Sequence, residues 1–291
     1  MVKVLYIGGS GRSGSTILDS ILGQFEGFMS VGEVRFIWKR GLIDDRLCSC
    51  GEAFSKCPFW TEVLDRGFGG AAGIDPGRIL ELMSRGTRAR RIPMMLGGTR
   101  RRQAFVRGLD ELPDVLSRLY AAIRDTSGAR IIVDSSKLPT YGYVLGTAPG
   151  IDLRVVHLVR DPRAAAYSWQ RKKPLPDKRG AYMQRQGTLR SSALWMLWNT
   201  TPSLFWPDRV RIRYEDFVRE PSAIVERIVA YAGEEFEKGP FVAPTEVELE
   251  PSHSVAGNPS RFTTGRVAIQ PDEEWRRRMR PVDRRLVTAL T

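Results

Sequence analysis

Short β-branched runs alternate along this chain with longer stretches of helical period, and that order decides its class. VKVLYI (residues 2–7) reads as a buried strand that ends in the glycine-rich turn GGSGRSGST and opens directly into a helix, expected from about Gly14 to Phe25. The segment from Val31 to Trp38 is short and mixed, with Glu33 among apolar neighbours. Residues from about Ile74 to Thr126 read as helices interrupted by Gly and Pro, a helical insertion or lid (74–126) within one domain spanning 1–291. RIIVDSSK and DLRVVHLVRDPRAAAYSW each carry a continuous apolar run followed by polar residues, the pattern of buried parallel strands. In the second, Asp161 suits an N-cap and Pro162 a first helical position, so a helix is expected just after Arg160. LRSSALWMLWNTTPSLFW reads as a tryptophan-rich helix, RVRIRYEDF as an edge strand with a turn, and SAIVERIVAYAG as an amphipathic helix closed by Gly233. The stretch Pro240 to Arg266 has no clear period, and EWRRRMRPVDRRLV reads as a final basic helix with a solvated face. The alternation predicts an α/β fold: a P-loop-like doubly wound parallel sheet flanked by helices.

Composition narrows the partners without naming one. The 291 residues suffice for one large α/β domain. Lys and Arg number 45 against 33 Asp and Glu, a formal charge of +12, which suits an anionic substrate, nucleic acid or an acidic membrane surface. The arginine-rich stretch TRARRIPMMLGGTRRRQAFVR lacks interleaved aromatics and no nucleic-acid-binding motif accompanies it, so no nucleic-acid partner is expected. With no leader of signal-peptide type and no run approaching a membrane span, the expectation is a soluble, cytoplasmic protein. Cys48, Cys50 and Cys57 in CSCGEAFSKCPFW lie too close together for a disulfide framework. Three thiols could form part of a zinc site, but no fourth ligand stands nearby, so a structural loop with at most one bridge and no metal is expected.

The chemistry concentrates in the first loop. Gly9 and Gly14 stand at the spacing of the two glycines in G-x-x-x-x-G-K-[ST] and Thr16 fills the last hydroxyl position, but Ser15 occupies the place of the lysine. That lysine neutralises the β- and γ-phosphates in nucleoside triphosphatases, so its loss argues against ordinary ATP or GTP hydrolysis. Backbone N–H groups of a Gly-rich turn and the positive end of the following helix still hold a phosphate or sulfonate. Arg12 supplies the missing charge, and Ser13, Ser15 and Thr16 add donors. Arg160, at the carboxyl end of a predicted strand, and Ser168 in the next helix form a second candidate anion site on the same sheet edge. Two such sites imply a ligand with two separate phosphate groups.

GGSGRSGSTIL, IVDSSK, VHLVRDPRAAAYS, RYEDF and HSVAGNPSR follow one another in an order that resembles the sulfotransferases using 3′-phosphoadenosine-5′-phosphosulfate (PAPS). The likeness is closer to the bacterial, tyrosylprotein and carbohydrate branches than to the phenol type. The resemblance implies that Arg12, Ser13, Gly14, Ser15 and Thr16 bind the 5′-phosphosulfate and that Arg160 and Ser168 bind the 3′-phosphate. It implies a catalytic Lys137 beside the bridging oxygen, where a cation stabilises the transition state more than the ground state. It also implies that SHSVAGNPSR closes over the nucleotide; by position and chemistry Gly257 and Pro259 are expected to shape that loop, and Asn258 and Arg261 to contact adenosine or the 3′-phosphate. The acceptor hydroxyl must lose a proton, and Glu33 and His253 are both candidate bases. His157, mid-strand, reads as a core residue, and Tyr214 and Glu215 as structural.

The implied activity is in-line sulfuryl transfer from PAPS to a hydroxyl of a small molecule, glycan or glycolipid, releasing the bisphosphate PAP and needing no metal. The acceptor pocket is expected from the 74–126 insertion and the tryptophan-rich helix. Two other readings stay open: a nucleotide kinase or NTPase with a degenerate loop, and a basic nucleic-acid or membrane-surface module worked by Arg85 to Arg107.

Overall fold

The computed structural model describes every residue except 179, 237 and 238. Five strands, β1 (Val2–Gly8), β2 (Phe28–Gly32), β3 (Ile131–Lys137), β4 (Ile151–Val159) and β5 (Val210–Arg213), form one sheet in the order β2-β3-β1-β4-β5. All neighbours in it run parallel. Side chains alternate across each strand, so Val4 and Tyr6 of β1 enter a core on one face while Leu5 and Ile7 enter a second core on the other. The first core takes Ile79, Leu82, Leu116 and Leu119 from helices between β2 and β3; the second takes Leu18 and Ile21 from α1 (Ser15–Leu22) and Val225 and Ile228 from the helix Pro221–Tyr231. Helices on both faces of a parallel sheet make this the doubly wound α/β arrangement that the alternating pattern implies.

The apolar runs locate β1, β3, β4 and β5, and Asp161 caps the helix Pro162–Gln170 by accepting from the Arg163 N–H at 2.8 Å. Three places differ from the sequence reading. FMSVG, in and before the mixed segment, is the edge strand β2, with Glu33 directly after it. The stretch without clear period holds an antiparallel sheet, β6 (Phe241–Ala243), β7 (Glu246–Leu249) and β8 (Gly265–Ala268), whose Phe241, Val247 and Leu249 close the second core. The final basic helix is two, Glu274–Arg278 and Pro281–Leu290, because Pro281 cannot continue the first, and its face is not wholly solvated since Trp275 and Val287 are buried. The 74–126 helices pack into the first core through Ile79, Leu82, Met83 and Leu116. No helix among the described residues is long and apolar enough to cross a membrane.

Candidate active site

β1 sits between β3 and β4, and the carboxyl ends of β2, β3, β1 and β4 open on one edge of the sheet. Glu33 follows β2, Lys137 ends β3, the glycine-rich loop follows β1 and Arg160 follows β4. This is the edge at which an open parallel sheet collects ligands. A cavity of about 530 Å³ lies there.

The loop is shaped by contacts that only glycine permits. A Cβ on Gly9 (φ 130°) would lie 2.6 Å from the Leu158 carbonyl oxygen, and one on Gly14 (φ 88°) would lie 2.5 Å from the Tyr214 ring. The Gly9 N–H donates to the Lys137 carbonyl at 3.0 Å, tying the loop to the end of β3. α1 starts at Ser15 with no side-chain cap from Gly14, so its first N–H groups keep their donor capacity where Gly14, Ser15 and Thr16 line the cavity. Ser13 is buried and does not line it.

The walls are strongly cationic. Arg12, Arg35, Arg40, Arg160, Arg171, Lys137 and Lys173 line the cavity against two carboxylates, Glu33 and Asp272. The buried Nε atoms of Arg12, Arg35, Arg160 and Arg171 have no hydrogen-bond partner among the described residues. Burial, reinforced by Arg171 and Arg12, pulls the Lys173 ammonium below its ordinary value. Burial does the same to Arg12, with Glu33 opposing and Arg171 adding to it. Crowded, desolvated cations of this kind gain from an anion placed among them.

Two tethers join the parts. Arg160 donates from Nη1 to the Arg12 carbonyl at 3.2 Å, lies over the Tyr214 ring at 4.4 Å and pairs with Asp272 at 3.2 Å. Burial works against the ionised Asp272, but Arg160 and Arg171 outweigh it and hold the carboxyl below its ordinary value. Ser168, on the adjoining helix, is buried and lines the same cavity. On the other side Lys137 Nζ pairs with Glu33 Oε1 at 2.7 Å. Burial raises the Glu33 carboxyl, yet Lys137, then Arg35 and Arg40, leave it below the usual carboxylate range. Lys137 holds φ at 68°, a left-handed conformation that a non-glycine residue keeps only when its surroundings impose it.

Residues 5–238 match the Sulfotransferase family. The chain belongs to that family. A 108-residue stretch is 32% identical to mouse carbohydrate sulfotransferase 5, covering 31% of this chain and 27% of that protein's length. Two solved domains share the fold along almost the whole chain. The sulfotransferase domain of the Synechococcus PCC 7002 olefin synthase aligns with a TM-score of 0.52 at 18% identity, over 99% of this chain and 93% of that one. The sulfotransferase domain of the curacin biosynthetic pathway aligns with a TM-score of 0.53 at 15% identity, over 99% and 97%.

Of the residues the sequence singles out, this family member gathers Arg12, Gly14, Ser15, Thr16, Glu33, Lys137, Arg160, Ser168, Gly257 and Asn258 around one cavity. Three do not join them: the buried Ser13, Arg261 and His253. The Arg261 guanidinium is buried and committed to Asp177 at 2.9 Å and to the Leu47 and Ser254 carbonyls at 2.9 and 3.0 Å. His253 faces the three cysteines, its Nδ1 3.3 Å from Cys57 Sγ, and stacks on Phe59. No residue of 74–126 lines the cavity; Trp169 and the segment after it, with Leu194 and Trp198, supply the side wall instead. His157 is the buried core residue its position suggests, bonded to Asn199 at 3.1 Å.

Sequence reasoning missed Arg35 as a wall residue, and Arg40, Arg171, Lys173 and Asp272 altogether. Each sits in a segment without strong period, so nothing in the chain marks which arginines turn inward. Tyr214, read as structural, borders the cavity under Arg160 and against Gly14.

Proposed function

We propose that this protein transfers the sulfuryl group of PAPS to the hydroxyl of a small molecule, glycan or glycolipid. The observation that carries the reading is the pair of tethered anion sites: the turn before α1 and the Arg160–Ser168 pair share one cavity and are joined through the Arg12 carbonyl. A donor with a 5′-phosphosulfate and a separate 3′-phosphate offers one anion to each. Arg12, Gly14, Ser15 and Thr16 receive the phosphosulfate, and Arg160 with Ser168 the 3′-phosphate. Gly257 and Asn258 cover the donor, the Asn258 N–H being already within 3.3 Å of Thr16 Oγ1.

In the transfer the acceptor oxygen forms a bond to sulfur as the bond from sulfur to the bridging oxygen breaks, and PAP carries away the electron pair. Lys137 stabilises the charge growing on the bridging oxygen. Glu33 takes the acceptor's proton, because it lines the cavity and His253 does not. The 2.7 Å ion pair couples the two roles. While Lys137 faces Glu33, the carboxylate is a weak base; as the Lys137 ammonium turns to the donor, its lowering influence weakens and the carboxyl becomes a better proton acceptor. The cation arrangement favours a reaction in which side chains rather than magnesium meet the charge.

The test is transfer of sulfur-labelled sulfuryl from PAPS to a panel of hydroxylated acceptors, with and without magnesium. Wild type is expected to transfer label in both, and Glu33→Gln to lose about 100-fold in turnover while binding PAP with near-normal affinity. Full turnover by Glu33→Gln removes the base assignment, and transfer from ATP instead moves the protein to phosphoryl chemistry.

A further inference from the structure

We propose that Cys48, Cys50, Cys57 and His253 bind a structural zinc ion, at a site separate from the cavity and independent of the activity proposed above. The four candidate ligand atoms lie within 4.8 Å of one another. A tetrahedral zinc with Zn–S near ~2.3 Å and Zn–N near ~2.0 Å sets its ligand atoms roughly 3.5 to 3.8 Å apart. Three of the six edges lie close to this range: Cys50 Sγ to Cys57 Sγ is 3.7 Å, Cys48 Sγ to His253 Nδ1 is 3.8 Å and Cys57 Sγ to His253 Nδ1 is 3.3 Å. All three cysteines are free thiols, and the 3.7 Å separation is far from a disulfide bond of ~2.05 Å.

The surroundings are those of ligands held in place. The cysteine loop is closed by backbone bonds: the Cys48 N–H donates to the Glu52 carbonyl at 2.8 Å, the Gly51 N–H to the Cys48 carbonyl at 3.0 Å and the Cys57 N–H to the Phe54 carbonyl at 3.2 Å. The His253 ring stacks on Phe59 with centroids 4.9 Å apart, and its backbone carbonyl accepts from Trp60 Nε1 at 2.9 Å, so its Nδ1 is aimed at the sulfurs. Cys48 and Cys57 are buried and Cys50 and His253 partly so, and four protein ligands would fill a tetrahedral site, leaving none of the open fourth position that a catalytic zinc keeps. Thiolate sulfur with one imidazole suits zinc over the hard cations.

The sequence hides this site because His253 lies 196 residues beyond Cys57. That separation also gives the ion its work. It would cross-link the cysteine loop to the segment 252–261, which Ser49 already meets through hydrogen bonds to the Ser252 carbonyl and the Ser254 N–H at 2.8 and 2.7 Å. The same segment runs on to accept the Glu33 N–H through Ala256 at 2.9 Å and to reach Thr16 through Asn258. Zinc would therefore anchor the strap that passes over the glycine-rich loop. Binding takes up one zinc ion and releases thiol protons, with no change of oxidation state.

The full-length chain, purified without a nickel column, should carry about one zinc per chain by inductively coupled plasma mass spectrometry. A Cys50→Ser/His253→Ala variant should carry less than about a tenth of that. Wild type reconstituted with cobalt(II) should show the visible bands of a tetrahedral thiolate site, a readout that does not depend on any variant folding. Removing zinc with a chelator should raise amide hydrogen exchange in 47–57 and 252–261 together. The proposal is overturned by metal-free protein whose thiols titrate alike with and without added zinc, by a Cys50–Cys57 disulfide, or by iron in place of zinc.

Discussion

Lys137 is held by three constraints at once: a positive φ of 68°, a carbonyl fixed by the Gly9 N–H and an ammonium paired with Glu33. A group fixed this way on a strand end is placed to meet charge that appears late in a reaction, so Lys137→Ala is expected to lower kcat by about 100-fold or more. PAP affinity should change only a few-fold in calorimetry, because the two anion sites lie elsewhere. A loss confined to affinity would make Lys137 a binding residue only. Lys137, Arg160 and the glycine-rich loop were legible in the sequence because each follows a strand whose apolar run marks its end. Arg35, Arg40, Arg171 and Lys173 were not, since they reach the cavity from a turn, an irregular helix and a loop with no period to orient them. Arg261 shows the converse: position suggests a ligand contact, while three-dimensional packing gives its charge to Asp177 and two carbonyls.

At the level of elements, the junction of β1 with α1 depends on Gly14. Its φ of 88° and the 2.5 Å approach to Tyr214 that a Cβ would make leave no room for a side chain. Gly14→Ala is therefore expected to cost about 1 to 3 kcal/mol in urea denaturation and to weaken PAP binding as the turn opens. An unchanged midpoint would show that Tyr214 yields without cost. Long buried strands announce themselves through continuous β-branched runs. β2, a five-residue edge strand ending in glycine, and the three- and four-residue strands β6, β7 and β8 offer too few alternations for any period to emerge. Pro281 was visible in the final basic stretch, and its effect as a helix break is the ordinary one.

For the molecule as a whole, two buried carboxyls beneath the site make stability depend on pH. Burial raises Asp19 from 3.8 to about 7 and Asp134 to about 6, so the folded chain keeps their protons where the unfolded chain has lost them. Each is a raised folded pKa: stability is full below the unfolded value and falls as pH rises through the folded one. His157, lowered by burial to about 4, has the opposite sign and loses stability as pH falls. Asp19 bonds to Ser30 across α1 and β2. Asp19→Asn isolates its share: relative to wild type, the variant should gain stability between pH 4 and 7, on the order of 3 kcal/mol, in urea titrations. A difference independent of pH would mean that Asp19 stays ionised in the folded state. The parallel sheet with helices on both faces follows from the alternation of elements, whereas the strand order, the edge strand β2 and the cysteine–histidine cluster depend on contacts between chain segments that no local pattern records.

The central claim is that two tethered anion sites hold one bisphosphorylated nucleotide. Calorimetric titration of wild type and Arg160→Ala with adenosine 3′,5′-bisphosphate and with ATP, each with and without magnesium, tests it most directly. The account predicts bisphosphate binding that is indifferent to magnesium, stronger than ATP binding, and weakened at least about tenfold by Arg160→Ala. Preference for ATP with magnesium, or bisphosphate binding that Arg160→Ala leaves intact, would contradict it.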